Sequence, residues 1–163
     1  MTDPHQQAHG SVDPDVDLHD EQQRTELGHH HPLVLGAIAL GGIVGAEARY
    51  GLALAMPHRP GSWPWATLLT NVSGSLLIGV LMAVLASLAR PPRLARPFLG
   101  VGILGGFTTF STYAVDLREL LGHGHPGAAA AYLLVTLVAG VLAVAIGLGL
   151  ARVARRQPAE APA

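Results

Sequence analysis

Long apolar runs separated by short polar connectors set the pattern of this chain. Four stretches are predominantly apolar: residues 33–56, 65–89, 98–121 and 128–150. Crossing about 30 Å of hydrocarbon takes roughly 20 helical residues, so each stretch is long enough to span a bilayer. Helix-stopping and basic residues follow three of them: Pro57-His58-Arg59-Pro60-Gly61, Arg90-Pro91-Pro92-Arg93, and Arg152 with Arg155 and Arg156. No run carries the continuous polar face that a surface helix of a soluble bundle needs. The connectors are also too short to hide a soluble domain. The pattern predicts an all-α membrane protein with four transmembrane helices. Trp63 and Trp65 stand at one boundary, where amphipathic rings settle.

Composition agrees and sharpens the picture. Only 13% of residues are charged, against roughly 25% in a soluble domain. Seven of the eleven acidic residues precede Leu33; between Leu33 and Leu150 only Glu47, Asp116 and Glu119 remain. The net charge of −1 therefore averages an acidic tail with a basic, apolar body and says nothing about partners; no nucleic acid partner is expected. Residues 1–32, rich in Asp, His, Gln and Pro, are expected to be a disordered tail, and residues 154–163 a C-terminal one. The start of the chain has neither the basic opening nor the apolar stretch of a secretory signal, so the first hydrophobic helix is expected to direct insertion itself. The absence of cysteine excludes disulfides, thiolate metal sites and cysteine nucleophiles.

Small residues recur one turn apart: Gly41 and Gly45 in the first helix, Ser75 and Gly79 in the second, Ala139, Ala143 and Gly147 in the fourth. Such pairs let membrane helices approach closely. Four helices from so few residues can hardly enclose a polar pathway, which leads to the expectation of an oligomer.

Polar residues within the spans are the candidates for function, because lipid tolerates them poorly. Thr67, Asn71 and Ser75 fall at i, i+4 and i+8 on one face of the second helix. The Asn71 amide offers two N–H donors, suited either to an anion or to interhelical hydrogen bonding. The third helix reads Gly105-Gly106-Phe107-Thr108-Thr109-Phe110-Ser111-Thr112-Tyr113, a poor helix interior. A break near its centre would free carbonyls for a small cation and turn a half-helix N-terminus toward an anion. Phe110 and Tyr113, three apart, would offer ring edges, the positive part of an aromatic. Glu47 and Arg49 lie late in the first helix, where both can reach the interface or pair locally; Glu47 is also the one carboxylate that a proton-coupled exporter could use. The membrane region contains no histidine and no nucleophile–base set, so an enzyme is not expected. The His29-His30-His31 run could catch a metal, although a tail is a poor frame for one.

Together these segments resemble the Fluc (CrcB) fluoride channel family. Gly41-Gly42-Ile43-Val44-Gly45-Ala46-Glu47-Ala48-Arg49-Tyr50 is similar to its first-helix signature, and Thr67-Leu68-Leu69-Thr70-Asn71-Val72-Ser73-Gly74-Ser75 to its second-helix segment. The Gly105-to-Tyr113 segment resembles its third-helix break, and the likeness covers residues 33 to about 150. The resemblance implies an antiparallel dimer with two narrow pores that passively export fluoride across the cytoplasmic membrane. It implies that Asn71 is the pore amide, that Phe110 and Tyr113 form the aromatic box, and that Ser111 and Thr112 supply hydroxyls. It further implies that the carbonyls of Gly105 and Thr108 hold a structural Na+, and that Arg49 is the family's first-helix arginine. Two departures stand out. Tyr113 replaces the usual Phe, and the fourth helix reads Thr136-Leu137-Val138-Ala139-Gly140-Val141, leaving Thr136 as the hydroxyl on that side.

An antiparallel dimer of one gene product needs little Arg bias between its two sides. Leaving Arg24 in the acidic tail aside, the side of the termini and second connector carries Arg90, Arg93, Arg96, Arg152, Arg155 and Arg156, against Arg59 and Arg118 opposite. This predicts termini that face the cytoplasm in most copies. The partner is then either an oppositely oriented related chain or, more simply, a second identical one. A small multidrug-type exporter and a non-conducting membrane subunit remain the other function classes.

Overall fold

The computed structural model describes residues 31–154, all helix and connector. The two tails expected above lie outside the described residues, apart from their innermost positions. Six elements follow one another: α1 (His31–Ala55), α2 (Trp65–Ala86), α3 (Arg96–Leu104), α4 (Gly105–Phe107), α5 (Ser111–Gly122) and α6 (Pro126–Ala154). Four helical stretches are long and apolar enough to cross a membrane, the third running from Arg96 through Gly122. The chain divides into two units at Leu33, and the packing below concerns residues from Val34 onward.

The boundaries have local causes. Pro57 and Pro60 keep α1 from continuing past Met56, and Pro64 leads into α2. α2 ends at Ala86, short of the Ala89 expected from hydropathy, because Ser87 turns its hydroxyl back onto the Val84 carbonyl at 2.7 Å. Pro97 sits in the first turn of α3, where its missing N–H is harmless. α3 is wound with i→i+5 hydrogen bonds, and the N–H of Gly105 reaches back to the carbonyl of Gly100. Such wide turns are rare and often mark functional sites.

α5 ends in a Schellman motif. Gly124 adopts a positive φ of 77°, its N–H bonds the Leu121 carbonyl at 3.0 Å, and the His125 N–H bonds Leu120 at 2.9 Å. Pro126 then opens α6, so α5 and α6 form a tight hairpin.

α2 and α6 pack extensively against each other. They touch through glycine: a Cβ on Gly79 would overlap the Val144 carbonyl oxygen, and one on Gly147 the Leu76 carbonyl oxygen. The same holds between α1 and α3, where Gly41 and Gly45 face the backbone of Gly102 and Ile103. The small-residue spacings thus mark helix contacts.

Polarity is inverted relative to a soluble protein. Thr67, Thr70, Thr109, Asp116 and Thr136 are buried, while Leu40, Ile43, Leu77, Val141 and Leu150 are among many large apolar residues left exposed. That arrangement suits lipid outside and polar contacts inside. Tyr113, Leu120, Ala129 and Tyr132 form the buried core near the α5–α6 hairpin. Trp63 packs edge-on against Tyr132 at 5.6 Å, whereas Trp65 is exposed at the boundary.

Candidate functional site

The site is organised around residues 108–110, between α4 and α5. Thr108 leaves helical geometry, with φ −72° and ψ 155°, and α5 starts again at Ser111. Departing from the helix releases backbone groups that need partners at bilayer depth. Asn71 on α2 supplies them. Its Nδ2 donates to the Thr109 carbonyl at 2.9 Å, and its Oδ1 accepts the Thr109 N–H at 2.8 Å. This two-way clasp uses the amide's carbonyl and one of its two N–H bonds. The Thr109 hydroxyl in turn accepts the N–H of Thr112 at 3.1 Å, donates to the Thr112 hydroxyl at 3.1 Å, and lies 3.2 Å from that of Ser111. Ser111 and Thr112 therefore belong to the cap of α5.

Beside the clasp lies a groove of about 580 Å³ between α2, the interrupted span and α6. It brings together Asn71, Ser75, Gly105, Thr108, Phe110, Tyr113 and Thr136. Phe110 and Tyr113 are 5.8 Å apart between ring centres and tilted by 49°. Phe110 is 79% exposed in the single chain, while Tyr113 is buried. The Tyr113 hydroxyl donates to the Leu133 carbonyl of α6 at 3.2 Å, so the extra oxygen is satisfied there. Thr136 is buried, 8% exposed, and its hydroxyl has no hydrogen-bond partner. Ser111 and Thr112 are exposed and do not line this groove.

A second cavity, of about 230 Å³, opens on the α1 side of the same segment. Arg49, Thr67, Thr70, Thr109 and Thr112 line it, and Arg49 Nη1 donates to the Thr108 carbonyl at 3.3 Å. Glu47 is exposed on α1 and lines neither cavity. The expected single stripe of Thr67, Asn71 and Ser75 is therefore divided. Successive i+4 steps turn about 40° around the helix, enough to aim Thr67 at the other side.

Sequence reasoning missed three participants. Thr109 borders both cavities and anchors the clasp. Asp116 is 4% exposed and accepts a hydrogen bond from Tyr132 at 3.2 Å. Its signal was present, since Phe110, Tyr113 and Asp116 run at i, i+3 and i+6. His58, in the first connector, lies 3.8 Å from Asp116 and gave no pattern to read.

The geometry has counterparts among known proteins. A family model described as "CrcB-like protein, Camphor Resistance (CrcB)" matches residues 36–148. The chain belongs to the CrcB family. Its relatives include "Fluoride-specific ion channel FluC 2" of Streptomyces avermitilis, 45% identical over 84% of this chain and 85% of the relative. The protein of the same name from Nocardia farcinica is 48% identical over 74% of this chain and 86% of its own length. "Fluoride-specific ion channel FluC" of Rhodospirillum centenum is 44% identical over 72% and 94%. As a member of this family with four spanning helices, the chain is a multi-pass membrane protein.

Two carbonyls bear on the structural Na+ that the family implies. The Thr109 N–H, which would close a helical turn on Gly105, goes to Asn71 instead, so the Gly105 carbonyl loses that donor. The Thr108 carbonyl accepts from Arg49 and keeps a second lone pair. These are the hard oxygen ligands such an ion takes. Two are too few for a complete shell, so these two carbonyls alone would not enclose the ion.

Proposed function

We propose that this chain is a fluoride-selective ion channel, not an enzyme, that lets fluoride leave the cell passively across the cytoplasmic membrane and so reduces its toxicity. The carrying observation is the groove at the helix interruption. It is mostly apolar, with a few polar groups from Asn71, Ser75, Thr108, Thr109 and Thr136, and it is lined, among the described residues, by no carboxylate, histidine, lysine or arginine. A small anion entering it must lose water, and each lost hydrogen bond needs a replacement. The remaining Asn71 N–H, the unpartnered Thr136 hydroxyl and the ring edges of Phe110 and Tyr113 offer replacements without a fixed charge that would trap the ion. The relatives' names, fluoride-specific ion channels, favour the same ion.

The conducting unit in this reading is an antiparallel dimer. Residues 108–110 divide the third span into two half-helices that meet their counterparts across a two-fold axis. A second copy would cover Phe110 and close the open side of the groove. The carbonyls of Gly105 and Thr108 from both copies would then surround one structural Na+. Ser111 and Thr112, just past the groove at the start of α5, would offer hydroxyls to the ion beyond it, with Arg49 steadying Thr108 from the α1 side. A homodimer is the simplest assembly; the arginine bias leaves room for an oppositely oriented related chain.

The exporter reading, with Glu47 as proton carrier, has no support in the groove. Fluoride efflux from liposomes tests the choice. Phe110→Ile should slow efflux at least tenfold in a protein that still elutes as a dimer. Glu47→Gln should leave efflux unchanged and indifferent to an imposed pH gradient. Undiminished efflux in Phe110→Ile, or loss of efflux in Glu47→Gln, would contradict the assignment.

A further inference from the structure

At the connector end of α5, away from the fluoride groove, three ligating side chains converge. His58 Nε2, a carboxylate oxygen of Asp116 and one of Glu119 all lie within 4.8 Å of one another. We propose that His58, Asp116 and Glu119 form a site for a first-row divalent cation such as Zn2+.

The residue types fit. One imidazole with two carboxylates is an N/O donor set that such ions accept, and three protein ligands leave a fourth position for water. The frame fits as well. Asp116 and Glu119 stand at i and i+3 on one face of α5. His58 is held on a short connector between Pro57 and Pro60, closed by Ser62, whose N–H and hydroxyl both donate to the Arg59 carbonyl. Bonds of about 2.0–2.1 Å place tetrahedral donors roughly 3.3 Å apart. His58 Nε2 and Asp116 Oδ1 are already at 3.8 Å. The remaining closure falls to Glu119, which is only half-buried, and to His58, whose side chain is 28% exposed and leaves an entry path.

The burial of Asp116 is a separate reason to expect a cation. A carboxylate withdrawn from water needs compensation. Among the described residues its one ion-pair partner is His58, at a distance too long for a hydrogen bond. Glu119 adds charge of the same sign beside it. A dication bridging the three would remove both problems. The support around Asp116 is in place too: Tyr132, itself fully buried, hydrogen-bonds the carboxylate and fixes its orientation.

The test is calorimetric titration of ZnCl2 into the detergent-purified full chain without fluoride. The six histidines that precede Pro32 are replaced by Ala to silence the tail. The expected result is one Zn2+ per chain, with affinity reduced at least tenfold by His58→Ala and by Glu119→Gln. His58→Gln serves as a second variant if His58→Ala changes the elution volume. No saturable binding in the parent, or a loss smaller than tenfold in either variant, overturns the site. The readout needs no conduction, so its failure leaves the fluoride assignment untouched, and the reverse also holds.

Discussion

Asn71 has two tasks in this account, and they predict different consequences for different substitutions. Asn71→Ala removes both hydrogen bonds to Thr109 and leaves its N–H and carbonyl unpaired. Leaving buried groups unsatisfied costs about 1–3 kcal/mol each. The expected outcome is a clearly lowered melting temperature together with a large loss of fluoride efflux. Asn71→Asp keeps the acceptor for the Thr109 N–H but loses both amide donors and brings a negative charge to the groove. It should abolish efflux with a smaller thermal effect than Asn71→Ala; efflux near the parent level would remove Asn71 from the path. Tyr113→Phe is the mild counterpart. It deletes only the hydrogen bond to Leu133, worth about 0.5–1.5 kcal/mol. Efflux within threefold of the parent is expected, and a tenfold loss would mean that the hydroxyl serves the ion. The ring pair was legible in the sequence because Phe110 and Tyr113 are one turn apart. The destination of the Tyr113 hydroxyl was not, since Leu133 is brought near only by the α5–α6 hairpin.

Glycine contacts carry the fold between elements. A methyl group on Gly79 or Gly147 would collide with backbone of the facing helix, which cannot yield as a flexible side chain does. Gly79→Ala and Gly147→Ala should each destabilise by about 1–3 kcal/mol, in the range of overpacked cores. Gly149→Ala, with nothing within 4 Å of its added carbon, should be nearly neutral. Equal melting temperatures for all three would refute this packing. Hydropathy and small-residue spacing made the four spans and their contact faces readable, because both follow from the primary pattern. The Gly105-to-Tyr113 segment likewise announced a poor helix. Neither the i→i+5 winding of α3 nor the Thr109 clasp was readable, because both depend on which helix lies opposite. The division of the Thr67, Asn71 and Ser75 stripe has the same origin: a 40° drift is invisible until two different neighbours share the face. Asp116 was overlooked for want of its partners, Tyr132 from α6 and His58 from a connector.

For the whole molecule, the exposed Phe110 and the open side of the groove are what the proposed dimer would cover. The assembly should be a dimer in mild detergent, and chemical crosslinking of the purified chain should give one discrete dimer band. Orientation is separable from stoichiometry. An accessible C-terminal tag in intact cells on roughly half the copies fits a homodimer of dual topology. A tag confined to the cytoplasmic side, with no conduction by the single chain, would require an oppositely oriented partner. The most direct measurement is fluoride efflux from liposomes containing this purified chain alone, followed with a fluoride electrode and with chloride as the competing anion. Rapid efflux of fluoride, with chloride retained and with no dependence on a pH gradient, is the predicted result. A folded, dimeric chain that releases no fluoride, or releases chloride equally fast, would contradict it.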